Sequence, residues 1–118
     1  MKLSLPWPPS INSYWRNFQG RMIISAKGRE YRKAVIDLIS KEGLAVHIEK
    51  PMRVTIEAFR PDRRKRDLDN LLKSTIDALA HAGVFKDDSL IHDLRIYWGP
   101  EIAGMLKVDI EVIDERTH

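Results

Sequence analysis

The chain predicts a single α+β domain, a small mixed β-sheet with two helices packed on one face. Three observations lead there. Two long segments carry apolar residues at helical spacing, several shorter ones alternate apolar and polar residues, and no repeat, low-complexity tract or linker divides residues 1–118. A chain of 118 residues is long enough for one modest core.

Taken in order, Lys2–Leu5 alternates and predicts a short strand, ended by Pro6-Trp7-Pro8-Pro9, where the prolines remove backbone donors. Arg21–Ser25 is a second extended piece. Ser25 can accept a hydrogen bond from the first turn of a helix running to about Glu42, with Tyr31, Ala34, Val35, Leu38 and Ile39 on one stripe. Gly28 weakens that first turn, and Gly43 is a natural stop. Arg53–Phe59 alternates, with Val54, Ile56 and Ala58 on the inner side.

The second helix has the clearest pattern. Leu68, Leu71, Leu72, Thr75, Ile76 and Leu79 recur at helical spacing, Asp67 occupies a capping position, and Gly83 follows the last turn. Val84–Asp88 makes a loop. Leu90–Trp98 and Leu106–Val112 then predict two strands, and the Pro- and Gly-containing connection Gly99–Gly104 suits a hairpin loop.

Composition narrows function by exclusion. Without cysteine there is no disulfide and no thiolate metal site. No apolar leader and no apolar run of about 20 residues is present, so no membrane association and a cytoplasmic location are expected. The net charge of +3 is mild, but five basic residues fall between Arg60 and Arg66, which concentrates it.

That basic run leads into carboxylates: Arg63-Arg64-Lys65-Arg66-Asp67-Leu68-Asp69-Asn70, then Lys73, then Asp87-Asp88. A polyanion drawn to the arginines would be repelled by the aspartates unless a cation neutralises them. Hard divalent ions such as Mg²⁺ prefer carboxylate and phosphate oxygens. The pattern therefore points to metal-assisted chemistry on nucleic-acid phosphate. At about 100° per residue, Asp69 and Lys73 share one flank of the second helix. The bland alternative treats the aspartates as caps and surface ion pairs and the basic run as a solvated loop. Further upstream, Tyr14, Trp15, Arg16 and Phe18 mix aromatic and basic character suited to stacking on unpaired bases, while Trp7 packs the N-terminus on the core. His47, His81, His92 and His118 show no ligand spacing.

Several motifs together resemble one family. Leu5-Pro6-Trp7-Pro8-Pro9-Ser10 with Asn12, Ser25-Ala26 and Gly28 before Tyr31-Arg32, Pro61 to Asn70, Lys73, Asp77-Ala78-Leu79 and Asp87-Asp88 are similar to the RusA Holliday junction resolvases. Many members of that family are carried by phages or prophages. The resemblance implies a homodimeric, structure-selective endodeoxyribonuclease of DNA recombination and repair. It would hydrolyse four-way junction DNA with Mg²⁺, or Mn²⁺ as substitute, and need no small-molecule cofactor. It further implies Asp67, Asp69 and Asp88 as catalytic metal ligands, Lys73 as the catalytic lysine and Arg66 as a DNA contact. Arg63, Arg64, Lys65, Arg16 and Tyr14 complete the expected DNA-binding set. Lys65 stands where the family more usually has Arg. A non-catalytic branched-DNA-binding protein and a nuclease for flapped or other branched DNA remain the alternatives.

Overall fold

Residues 1–113 are described in the computed structural model. They run β1 (Lys2–Pro6), α1 (Ile11–Tyr14), β2 (Trp15–Phe18), β3 (Arg21–Ile24), α2 (Ala26–Glu42), β4 (Met52–Phe59), α3 (Asp69–His81), a single 3-10 turn (Asp88–Leu90), β5 (Ile91–Trp98) and β6 (Met105–Val112). His118 lies outside the described residues. No helix among them is long and apolar enough to cross a membrane.

The main sheet has four strands in the order β1-β6-β4-β5, and β2 and β3 form a separate two-stranded ribbon. β4 is the organising strand. Met52, Val54, Ile56 and Ala58 are fully buried along its inner face, and burying a side chain the size of Val, Ile or Met contributes about 1.5–3 kcal/mol. β5 lies parallel to β4. A parallel pair needs a long crossover, and α3 supplies it. β6 lies antiparallel to β4 and to β1.

This order corrects the expectation of a hairpin at Gly99–Gly104, because β4 is inserted between β5 and β6. The connection instead crosses the end of β4. Gly99 N donates to Ala58 O at 2.8 Å, and the amides of Ala103 and Gly104 donate to Arg60 O at 2.9 and 3.1 Å. A Cβ on Gly99 would lie 2.4 Å from the Phe59 ring, so this crossing needs glycine.

The core joins Leu3, Leu5, Leu106, Val108 and Ile110 of the sheet to Tyr31, Val35 and Ile39 of α2 and Leu71, Ala78 and Leu79 of α3. Ala34, expected on the α2 stripe, is exposed. Ser25 Oγ accepts from Gly28 N at 3.0 Å as expected of a cap. Gly43 ends α2 at φ 69°, in the left-handed region glycine favours. Gly28 proves to be a packing requirement, since a Cβ there would sit 2.4 Å from Tyr14 O.

Asp67 does not cap α3. Leu68 occupies the N-cap without a side-chain bond. The first amides are taken by backbone carbonyls instead: Asn70 N donates to Asp67 O at 3.2 Å, and Leu71 N to Leu68 O at 3.1 Å. The Asp67 carboxylate therefore takes no part in capping the helix. Three further elements were not expected: α1, strand β2 and the 3-10 turn.

Candidate active site

Two pockets lie along α3, and its N-terminal half contributes to both. Asp67, Asn70 and Leu71 line the first, with Trp7, Lys27, Asp62, Arg64, Lys65 and Arg66 around them. Asp69, Lys73 and Asp77 line the second, of about 420 Å³, together with Trp15, His81, Asp87 and Asp88. Positions 69, 73, 77 and 81 are four apart, so one flank of α3 presents them in series.

In the first pocket the basic run divides into two pairs. Arg66 clamps Asp62 through Nη1 at 2.5 Å and Nη2 at 3.1 Å. The same carboxylate accepts from Arg64 N at 2.9 Å and Arg64 Nε at 3.2 Å. The Arg66 hydrogen bonds, then that backbone amide, hold the Asp62 carboxyl well below the usual carboxylate range. Arg66 also lies 5.8 Å over the Trp7 ring, Trp7 stacks on Trp98 at 6.4 Å, and Arg60 lies 4.4 Å over Trp98. This ladder packs Trp7 as expected and pins the loop. Arg63 and Lys65 are exposed and enter no ion pair among the described residues.

The second pocket also divides. At its far end Asp77 accepts from Arg32 Nε at 2.8 Å and Nη2 at 3.1 Å, and from the Tyr14 hydroxyl. His81 Nε2 lies 3.7 Å away. Burial pushes the Asp77 carboxyl up, but the hydrogen bonds from Arg32 and Tyr14 outweigh it, and the net shift is downward. Burial, then the bond to Asp77, raises the Tyr14 phenol. Tyr14 is fully buried. It therefore cannot stack on bases, a correction that follows from the demand of Asp77 and Arg32 for a polar partner inside the protein. Arg16 is exposed, as expected, with its guanidinium 5.3 Å over Phe18.

The near end is different. Asp69 and Asp88 face one pocket from two elements, and Asp69 forms no ion pair among the described residues. Lys73 is not paired with Asp69. Its Nζ lies 5.4 Å over the Trp15 ring, and Arg32 lies 5.7 Å over the same ring. The indole thus holds the ammonium by cation–π attraction while leaving its protons available. Asp87 is occupied: the Ser89 hydroxyl bonds its carboxylate and lowers its pKa.

Among the described residues no group of three or more His, Asp or Glu is placed to hold a metal ion. Asp69 and Asp88 nonetheless suit Mg²⁺, which commonly takes one or two carboxylates and completes its shell with water and substrate phosphate. Asp67 is not brought into that pocket and lines the neighbouring one. Arg32 and Asp77 were not singled out for the site by residue pattern, and Trp15 was read only as part of an aromatic and basic segment suited to unpaired bases. The Asp69-Lys73-Asp77 spacing carried a signal for Asp77, whereas Trp15 and Arg32 reach the site only through tertiary packing.

The chain is similar to known proteins over most of its length. A family model described as Endodeoxyribonuclease RusA matches residues 6–113. The chain is 44% identical over 102 residues to the crossover junction endodeoxyribonuclease of Enterobacteria phage 82, covering 86% of this chain and 85% of that protein. The Shigella sonnei crossover junction endodeoxyribonuclease RusA matches with the same identity and coverage. That of Escherichia coli is 43% identical over 102 residues, again 86% of this chain and 85% of the relative.

Proposed function

The chain belongs to the RusA family of endodeoxyribonucleases, and from that premise we propose that it resolves four-way DNA junctions by paired, Mg²⁺-dependent phosphodiester hydrolysis as a homodimer. The role would lie in DNA recombination and repair. One observation carries the reading: Asp69, Lys73 and Asp88, none of them in an ion pair among the described residues, line one pocket, and a basic loop lines the next pocket along the same helix.

Asp69 and Asp88 would hold the cation, with Asp67 completing the carboxylate set from the adjoining pocket. Bound there, Mg²⁺ or Mn²⁺ supplies charge neutralisation at the scissile phosphate and makes nearby water more acidic. Lys73 places a positive charge where negative charge develops, with Trp15 limiting its side-chain freedom. Arg63 and Lys65, exposed and outside any ion pair among the described residues, are suited to flanking phosphates, contacts that position DNA without reading its sequence. Arg64 and Arg66 hold the loop through Asp62 and line the same pocket as Lys65.

Resolution requires two cuts related by twofold symmetry. Two copies about one axis supply two sites. End-labelled four-way junction, incubated with and without Mg²⁺ beside flap, fork and duplex controls, tests the proposal. Paired symmetric nicks only with Mg²⁺ and junction are expected. Tight binding without nicks would instead identify a binding protein, and equal cutting of flaps a general branched-DNA nuclease.

A further inference from the structure

The β2–β3 ribbon is the one element whose design the hydrolytic chemistry does not explain. Among the described residues its strands pair only with each other. Gln19 and Gly20 join them with φ of 50° and 79°, the left-handed pair of a tight two-residue hairpin turn. The register opposes Trp15 to Ile24, Arg16 to Ile23, Asn17 to Met22 and Phe18 to Arg21.

Because side chains alternate across a strand, Arg16, Phe18 and Arg21 share one face of the ribbon with Ile23. Trp15 and Ile24, on the other face, pack against the core and anchor the ribbon's base. Trp15 also lines the acidic pocket, so the ribbon projects from the rim of the active site. Towards the tip, Phe18 is 49% and Met22 66% exposed. From Ile11 to Arg29 there is no Asp or Glu, while Arg16, Arg21, Lys27 and Arg29 are all cationic.

An exposed phenyl ring carrying one guanidinium 5.3 Å over it, with a second arginine on the paired position, has two chemistries to satisfy. The ring seeks a flat apolar partner, and the cations seek phosphate. A nucleobase within its own backbone offers both. A protein partner would need acidic groups for the arginines and an apolar socket for the ring. Duplex DNA hides its base faces by stacking, whereas the branch point of a junction can expose them. Apolar side chains inserted at base steps are an established way to hold DNA open.

We infer that the β2–β3 ribbon is a wedge for the branch point of junction DNA, with Phe18 stacking on an unstacked base and Arg16 and Arg21 holding its flanking phosphates. The inference rests on the substrate proposed above and assigns the ribbon a role in opening it.

The test uses the full chain without added divalent metal, bound to a junction with 2-aminopurine at the branch point. The parent protein should raise 2-aminopurine emission, and Phe18→Ala should abolish the rise while Phe18→Tyr retains it. Phe18→Ala should also lower the preference for junction over duplex by about tenfold, the scale of one lost base–aromatic stack. Unchanged emission and preference in Phe18→Ala would overturn the wedge. So would sedimentation showing that Phe18→Ala with Met22→Ala converts dimers to monomers, which would make the tip a contact between copies. Failure of the parent protein to prefer junctions at all would reject the functional reading itself, a result distinct from a silent Phe18 variant.

Discussion

Asp69 and Asp77 stand two turns apart on one flank of α3 and line one pocket, yet the protein treats them oppositely. Asp77 is surrounded by compensating groups: Arg32 grips both its oxygens and Tyr14 donates to it. Asp69 has no ion pair among the described residues. The loop repeats the contrast, where Asp62 is clamped by Arg64 and Arg66 while Asp67 caps nothing and has no cation partner among the described residues. A neutralised carboxylate contributes to stability. An un-neutralised one holds its charge for something absent from the chain. On the function proposed above, the distinction separates aspartates that hold the fold from those that would hold the cation, where the tripeptide Asp-x-Asp cannot.

Exchanging each carboxylate for an amide should break the contrast in opposite directions. Asp69→Asn should reduce cleavage by more than about a thousandfold while leaving the melting temperature unchanged or slightly raised. Junction affinity in gel shift should hold or increase, because a charge repelling phosphate is gone. Asp67→Asn and Asp88→Asn should behave alike. Asp87→Asn should be far milder, since that carboxylate is already engaged by Ser89. Cleavage within tenfold of the parent in any two of the first three would dismiss the assignment.

Lys73→Ala comes next, with turnover falling by about a hundredfold and the dissociation constant for junction nearly constant. A group acting chiefly on the transition state alters rate more than ground-state binding. Single-turnover kinetics beside equilibrium titration would show an equal loss in both if the lysine merely binds.

Asp77→Asn should destabilise by about 1–3 kcal/mol, because Arg32 and Tyr14 lose a charged acceptor in a partly buried setting. The sign with pH follows from the downward shift of Asp77. Its stabilisation is complete above the ordinary carboxylate pKa, about 3.9, and is lost as pH falls through the depressed folded value. The gap between parent and variant in denaturant midpoint should therefore narrow in acid. A gap that widened below pH 4 would contradict the placement.

The smallest effects belong to the basic loop. Arg63→Ala and Lys65→Ala should each reduce the slope of log affinity against log salt by about one. Arg64→Ala should reduce it less, because Asp62 already competes for that guanidinium. Equal slopes in all three variants would mean that the clamp opens on DNA.

How much of this was legible follows from the range of the interactions. Helices α2 and α3 and strand β4 announce themselves because their apolar residues recur at fixed short spacing. Asp69 and Lys73 were readable together for the same reason. Strand pairing was not, since only the long crossover through α3 decides that β5 joins β4 and leaves β6 its other edge. Strand β2 went unseen because Trp15-Arg16-Asn17-Phe18 carries no apolar alternation and its turn is Gln-Gly instead of Asn-Gly. Tyr14 looked like a surface aromatic because its partners, Asp77 and Arg32, sit 63 and 18 residues away. Asp67 looked like a cap because composition cannot show that backbone carbonyls have already taken the amides.

The chain's three tryptophans have an optical consequence. Trp7 lines the basic pocket, Trp98 stacks on it, and Trp15 lines the acidic pocket under two cations. None is among the fully buried residues of the core, which is largely aliphatic. Indole emission is therefore a built-in gauge of the site through Trp7 and Trp15 and of one end of the sheet through Trp98, the last residue of β5. A melt followed by fluorescence and one followed by far-ultraviolet circular dichroism would interrogate different parts of the molecule. Their coincidence would show that the ladder and pocket come apart only with the fold itself.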